Sequence, residues 1–195
     1  MSEESLLTID LPSYFYDTND KVPMRRCTNC DRELIESGTD YIIEKAFRHY
    51  RSFNITNTIF EYAMCMECVY EMNQRLSTES AARIAAYFEK RIPWQQRHEQ
   101  MVETHGTRFE GWIDKCLING DAIEELEEFQ VCCQCKGDQL VFSVLPYMIS
   151  HGASDEMMNL LSSESLDDYN RFVDDNFGLP PEWKDAFKTR PGVLI

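Results

Sequence analysis

Between Thr39 and Ala63 the run TDYIIEKAFRHYRSFNITNTIFEYA is rich in Tyr, Ile, Phe and Thr and free of Gly and Pro. That composition predicts two strands turning near Arg51 and Ser52. After Cys68 the period changes. Val69, Met72 and Leu76 follow helical spacing, and Ser77 or Thr78 is placed to cap a second helix carrying Ile84, Tyr87 and Phe88. Pro93 marks a break, and residues 94–104 predict a further polar helix closed at Gly106, with Gly111 in the joint that follows. Upstream, residues 1–26 mix acids with Pro12, Pro23 and the aromatic cluster Tyr14, Phe15 and Tyr16, which reads as a flexible start followed by a docking arm. Downstream, Ser165 and Asp168 form a capping box for a last helix that Gly178 and Pro180-Pro181 terminate. The tail EWKDAFKTRPGVLI then reads as a packing strap or an extended peptide.

The chain also lines up on itself. YAMCMECVYEMNQRLSTES from Tyr62 matches YMISHGASDEMMNLLSSES from Tyr147 without a gap, at an offset of 85 residues. The pairs Glu71/Glu156, Met72/Met157, Leu76/Leu161, Ser77/Ser162, Glu79/Glu164 and Ser80/Ser165 are identical, and Tyr87/Phe172 continues the correspondence. Two acidic helices can match by chance; the reading adopted is an old duplication, in which a Cys-rich turn, a hairpin and a helix pair occur twice. The expected organisation is an N-terminal arm over 1–23, a first unit over 24–110, a second unit over 111–178 and a tail over 179–195.

The chemistry lies in the cysteines. Cys27-Thr-Asn-Cys30 and Cys65-Met-Glu-Cys68 are two Cys-x-x-Cys pairs. A tight turn or a first helical turn brings residues i and i+3 to one side, so two such pairs can grip one ion in a closed tetrahedral shell. Such a shell is structural, not catalytic. Arg25 and Arg26 beside the first pair would moderate the charge of a tetrathiolate. A redox dithiol is disfavoured because neither pair sits in a βαβ setting. With strands between the pairs and a helix starting at the second, residues 24 to about 90 resemble treble-clef zinc domains, with a weaker echo over residues 112–178. The resemblance implies an α+β fold of two tandem, divergent treble-clef-like units, the first loaded with one zinc through Cys27, Cys30, Cys65 and Cys68. Treble clefs serve many roles, so it implies no single function.

In the second half the repeat puts Ser150 and Ala153 where Cys65 and Cys68 stand. Cys132-Cys133-Gln134-Cys135 offers a knuckle. Together with Cys116 and His151, Cys132 and Cys135 would complete a second zinc site. The alternative is a metal-free unit in which Cys116 and Cys133 are small buried apolar groups. Cys spacing permits both.

Charge narrows the partners. The 195 residues carry 19 Lys plus Arg against 34 Asp plus Glu, a net −15 that repels nucleic acid and anionic membranes over most of the surface. Residues 1–110 hold 13 basic and 18 acidic side chains, residues 111–195 hold 6 and 16. Any anionic ligand therefore belongs to the first half, where Arg25, Arg26, Arg48 and Arg51, with Lys45 and His49, interleave with Phe47, Tyr50 and Phe53 as a candidate anion patch. The bland account is a hairpin whose basic side chains balance acidic helices. An acidic N-terminus, the lack of an apolar stretch near membrane-span length and eight cysteines together read as a cytoplasmic chain in reducing surroundings. No nucleophile with a base, phosphate-cradling loop or His-Glu-x-x-His motif occurs. The expected function is a non-enzymatic, zinc-stabilised acidic adaptor for a protein with a basic surface. The alternatives are a nucleic-acid-associated zinc protein using Arg48 and Arg51, or a thiol sensor at Cys132 and Cys133, with Cys133 reacting first.

Overall fold

A computed structural model describes residues 7–177. The start of the arm, Gly178 and the tail over 179–195 lie outside the described residues. In chain order the regular elements are β1 (Leu7–Asp10), β2 (Asp40–Tyr50), β3 (Ile55–Cys65), α1 (Met66–Gln74), α2 (Thr78–Arg91), α3 (Trp94–His105), β4 (Glu128–Lys136), β5 (Gln139–Phe142), β6 (Tyr147–Ser150), α4 (His151–Met158) and α5 (Ser163–Phe177). The fold is mixed α+β. One antiparallel sheet runs in the order β1-β5-β4-β2-β3, with β6 also pairing β4.

The hairpin β2–β3 turns through Arg51–Phe53, where the break in the strand pattern places it, and Asn54 takes the left-handed conformation that closes the turn (φ 50°). β2 and β4 pair antiparallel from Asp40↔Lys136 to Arg48↔Glu128 and form the centre of the sheet. A central strand is covered on both faces, so β2 buries every residue from Tyr41 to Phe47. Glu44 and Lys45 are carried inside with them. Buried charges need partners. Tyr62 donates its hydroxyl to Glu44 at 2.5 Å, and Lys45 pairs with Glu61 at 2.8 Å while donating to the carbonyl of Tyr16 at 2.7 Å. The aromatic residues of the arm pack on the sheet: Tyr14 lies against Phe47, and Phe15 is fully buried.

The boundary expected at 110/111 falls just after α3, but it does not separate two bodies. The β2–β4 ladder joins the halves, and the long helices are exchanged. α5, from the second half, lays Phe172 against Tyr62 of β3; α2, from the first, donates from Tyr87 to Glu156 of α4 at 2.8 Å. The two helices start side by side. Ser77 caps α2 by accepting from the Ser80 amide, and Ser162 caps α5 by accepting from the Ser165 amide, so the α5 cap is Ser162 and not Ser165. Ser165 instead accepts from the Ser77 amide at 2.9 Å, and Ser80 accepts from the Ser162 amide at 2.8 Å. These four serines are two of the identical pairs at offset 85, and their identity is explained by this reciprocal contact. Replacing Ser80 or Ser165 by Ala orphans an amide of the other helix. Each change is expected to cost about 1–2 kcal/mol, read as a lower urea midpoint at unchanged slope.

Candidate metal centre

Backbone hydrogen bonds shape the first Cys-x-x-Cys pair. The Cys27 amide donates to the Arg32 carbonyl, and the Asp31 amide donates to the Cys27 carbonyl, both at 2.9 Å. Asp31 takes a left-handed φ of 59° to make the turn. The Thr28 amide reaches the Ala63 carbonyl at 2.8 Å, which holds the knuckle against the end of β3. There the chain passes from Cys65, the last strand residue, straight into α1, whose first turn carries Cys68. The Cys65 amide donates to the Cys27 sulfur at 3.4 Å.

Strand end, knuckle and helix start therefore bring Cys27, Cys30, Cys65 and Cys68 together. Their four Sγ atoms lie within 4.8 Å of one another, close enough to hold a metal ion, and no disulfide joins them. Cys27, Cys65 and Cys68 are buried and Cys30 is exposed. Among the described residues this is the one group of three or more Cys, His, Asp or Glu side chains that converges in this way.

The thiols are not equivalent. Burial works to raise Cys27, but hydrogen bonds from the Cys65, Cys30 and Asn29 amides and from the Cys30 side chain outweigh it and hold this thiol below its ordinary value. Burial pushes Cys65 up to about 11, and Cys68 higher still despite the Asn29 amide group donating to its sulfur at 3.3 Å. Metal binding must displace those protons. The cation nearest in electrostatic effect is one the linear spacing did not mark: Arg32, which bonds Glu67 at 2.5 Å and is held protonated first by Glu67 and then by Cys65 and Cys30. It follows the knuckle by two residues, which was the available signal. Arg25 and Arg26 are taken up by Glu36 and Asp31.

The second set does not converge. Cys132-Cys133-Gln134-Cys135 is not a knuckle but the middle of β4. Side chains alternate along a strand, so residues three apart face opposite sides of the sheet. Cys132 and Cys135 thus cannot grip one ion. Cys133 and Cys135, two apart, bring their sulfurs to 3.6 Å on the same face. His151 opens α4 with its ring 3.6 Å from Asp155, and Cys116 accepts from the Ser150 amide at 3.2 Å in a separate turn. Burial pushes the Cys132 and Cys133 thiols well above their ordinary value, so Cys133 is not the exposed, reactive neighbour that a sensor requires.

The four arginines of the anion patch are also divided. Arg25 and Arg26 precede the knuckle at the Tyr41↔Cys65 end of the hairpin. Arg48 lies seven registers along, and Arg51 lies in the turn. At about 3.4 Å per residue the two pairs are more than about 20 Å apart. Arg48 is paired with Glu128, and Phe47 is buried against Phe129, leaving Tyr50 and Phe53 exposed at the tip.

No family model, curated protein or solved structure matches this chain. Among the described residues no helix is long and apolar enough to cross a membrane.

Proposed function

We propose that the chain is a zinc-stabilised, acidic protein-interaction module, built from two treble-clef-like halves of which the first holds one structural zinc. The observation that carries the zinc reading is the closed sulfur cluster. Zn–S bonds of about 2.3 Å in a tetrahedron give S···S edges of about 3.8 Å. Cys30 and Cys65 stand at 3.7 Å, and all four sulfurs are within 4.8 Å. Four thiolates leave no position for substrate, so the ion braces the fold and does no chemistry. The treble-clef reading is supported by the sequence of knuckle, hairpin and helix, with the ligands at the knuckle and at the helix start. Metal analysis of the purified chain tests it: one equivalent of zinc is expected, and none would overturn it.

The partner is a protein with a basic surface. Support comes from the net charge of −15 and from exposed acids on α5, where Asp167, Asp174 and Asp175 face solvent. Nucleic acid is not favoured, because Arg25, Arg26 and Arg48 already have carboxylate partners. Reversing Asp167, Asp174 and Asp175 to Lys is expected to slow association with partners captured from the native cell about tenfold at low salt, with zinc content unchanged. Binding should also weaken as salt rises. Unchanged association kinetics would remove the charge-steered adaptor reading.

A further inference from the structure

The turn around Cys116 repeats the zinc knuckle bond for bond. Cys116 donates its amide to the Asp121 carbonyl at 2.8 Å, as Cys27 does to Arg32. The Gly120 amide returns to the Cys116 carbonyl at 2.9 Å, as Asp31 does to Cys27, and Gly120 takes the same left-handed turn (φ 77°). The Leu117 amide reaches the Met148 carbonyl at 2.8 Å, matching Thr28 and Ala63. Isolated bridges flank both turns, Arg26↔Glu33 and Lys115↔Ala122. The strand-to-helix joint matches as well: the Ser150 amide donates to the Cys116 sulfur at 3.2 Å, as Cys65 does to Cys27 at 3.4 Å. Each knuckle residue has its counterpart 89 positions on, and each joint residue 85 positions on.

We infer that the Cys116 turn is a zinc site whose ion has been replaced by hydrogen bonds, with Cys116, Asn119, Ser150 and Ala153 at the four ligand positions. Cys116 is the retained ligand. Asn119 stands for Cys30 and bridges the gap that metal would span, donating from Nδ2 to Ser150 Oγ at 3.2 Å. Ser150 stands for Cys65, and the same oxygen accepts the Ala153 amide at 3.3 Å. Ala153 stands for Cys68 in the first turn of its helix and offers no donor atom. Even the burial repeats, with Asn119 exposed and the other three buried, as Cys30 is exposed among its partners. A hydroxyl, a carboxamide and a methyl do not replace thiolates as zinc ligands, so this half keeps the shape of the site without the ion.

The inference rests on reading the first cluster as a zinc site, and the experiment separates the two. Full-length chain carrying Asn119→Cys, Ser150→Cys and Ala153→Cys is titrated with Co2+ after chelation, beside wild type. Wild type is expected to take one equivalent and the triple variant two, with tetrahedral tetrathiolate bands growing to twice their intensity. A wild type that takes none sinks the first reading. If wild type takes one and the triple variant also takes one, the latent-site inference alone fails. Should the triple variant not fold, the milder pair Asn119→Cys with Ser150→Cys supplies three thiolates and is expected to bind a second, weaker equivalent. Failure of both variants to fold with cobalt present counts against the inference, because a completed thiolate shell folds together with its metal.

Discussion

Replacing Cys68 with Ser is expected to remove the metal and to unfold the whole described structure, not the first half alone. Structural zinc sites contribute apparent binding free energies of about 10–16 kcal/mol at neutral pH, which exceeds the roughly 5–15 kcal/mol that separates a typical folded domain from its unfolded chain. Losing one of four ligands leaves three thiols, two of them buried, to be resolvated or protonated around a broken shell. The loss spreads because the halves are interlocked. α1 begins at the cysteine cluster and leads to the Ser77 junction, whose partners Ser162 and Ser165 start α5. Circular dichroism and zinc content should therefore fall together, and chelation of wild type should give the same single transition. A variant that kept its zinc, or a second half that melted separately at its former temperature, would contradict this account.

The second large effect is expected at the buried ion pair beneath the aromatic arm. Lys45 and Glu61 have side chains only 4% and 12% exposed, and their atoms meet at 2.8 Å. Glu61 also accepts from the Thr18 amide at 2.7 Å and from its hydroxyl at 2.8 Å, so it ties the arm to the hairpin. Glu61→Ala leaves an ammonium inside the protein with the Tyr16 carbonyl as its remaining hydrogen-bond acceptor. Removing one partner of a buried pair costs about 3–5 kcal/mol, since the other charge is left uncompensated. Replacing both, as Lys45→Met with Glu61→Leu, is expected to recover most of that loss. A denaturant series of the two singles and the double measures it; a single variant within about 1 kcal/mol of wild type would show that water reaches Lys45.

The sequence by itself was informative wherever the physics is local. Four cysteines in two Cys-x-x-Cys pairs declare themselves as a converging set because i and i+3 meet within one turn, whatever the rest of the chain does. The β2–β3 hairpin, its turn, the helix after Cys68 and the C-terminal stop of α3 at Gly106 follow from composition, period and capping. The 85-residue offset sets Ser150 and Ala153 opposite Cys65 and Cys68, and both pairs fall where a strand passes into a helix.

What the linear pattern misjudged are the matters that depend on which strand lies beside which. Cys132 and Cys135 have knuckle spacing, but pairing with β2 draws them into a strand, where alternation turns them to opposite faces. Their place as a knuckle belongs to Cys116 and Asn119, four residues out of step with the helix register, so a gapless alignment passes over them. Arg25, Arg26, Arg48 and Arg51 look like one basic cluster along the chain until an extended hairpin separates them and carboxylates from Asp31, Glu36 and Glu128 engage three. The exchange of α2 and α5 was equally invisible, because four serines record their contact only when both helix starts are in place. Local turns and periods are determined by neighbours a few residues away; faces, charge neutralisation and the joining of halves are determined by residues far apart in the chain, such as Tyr62 and Phe172, which only the folded chain brings together.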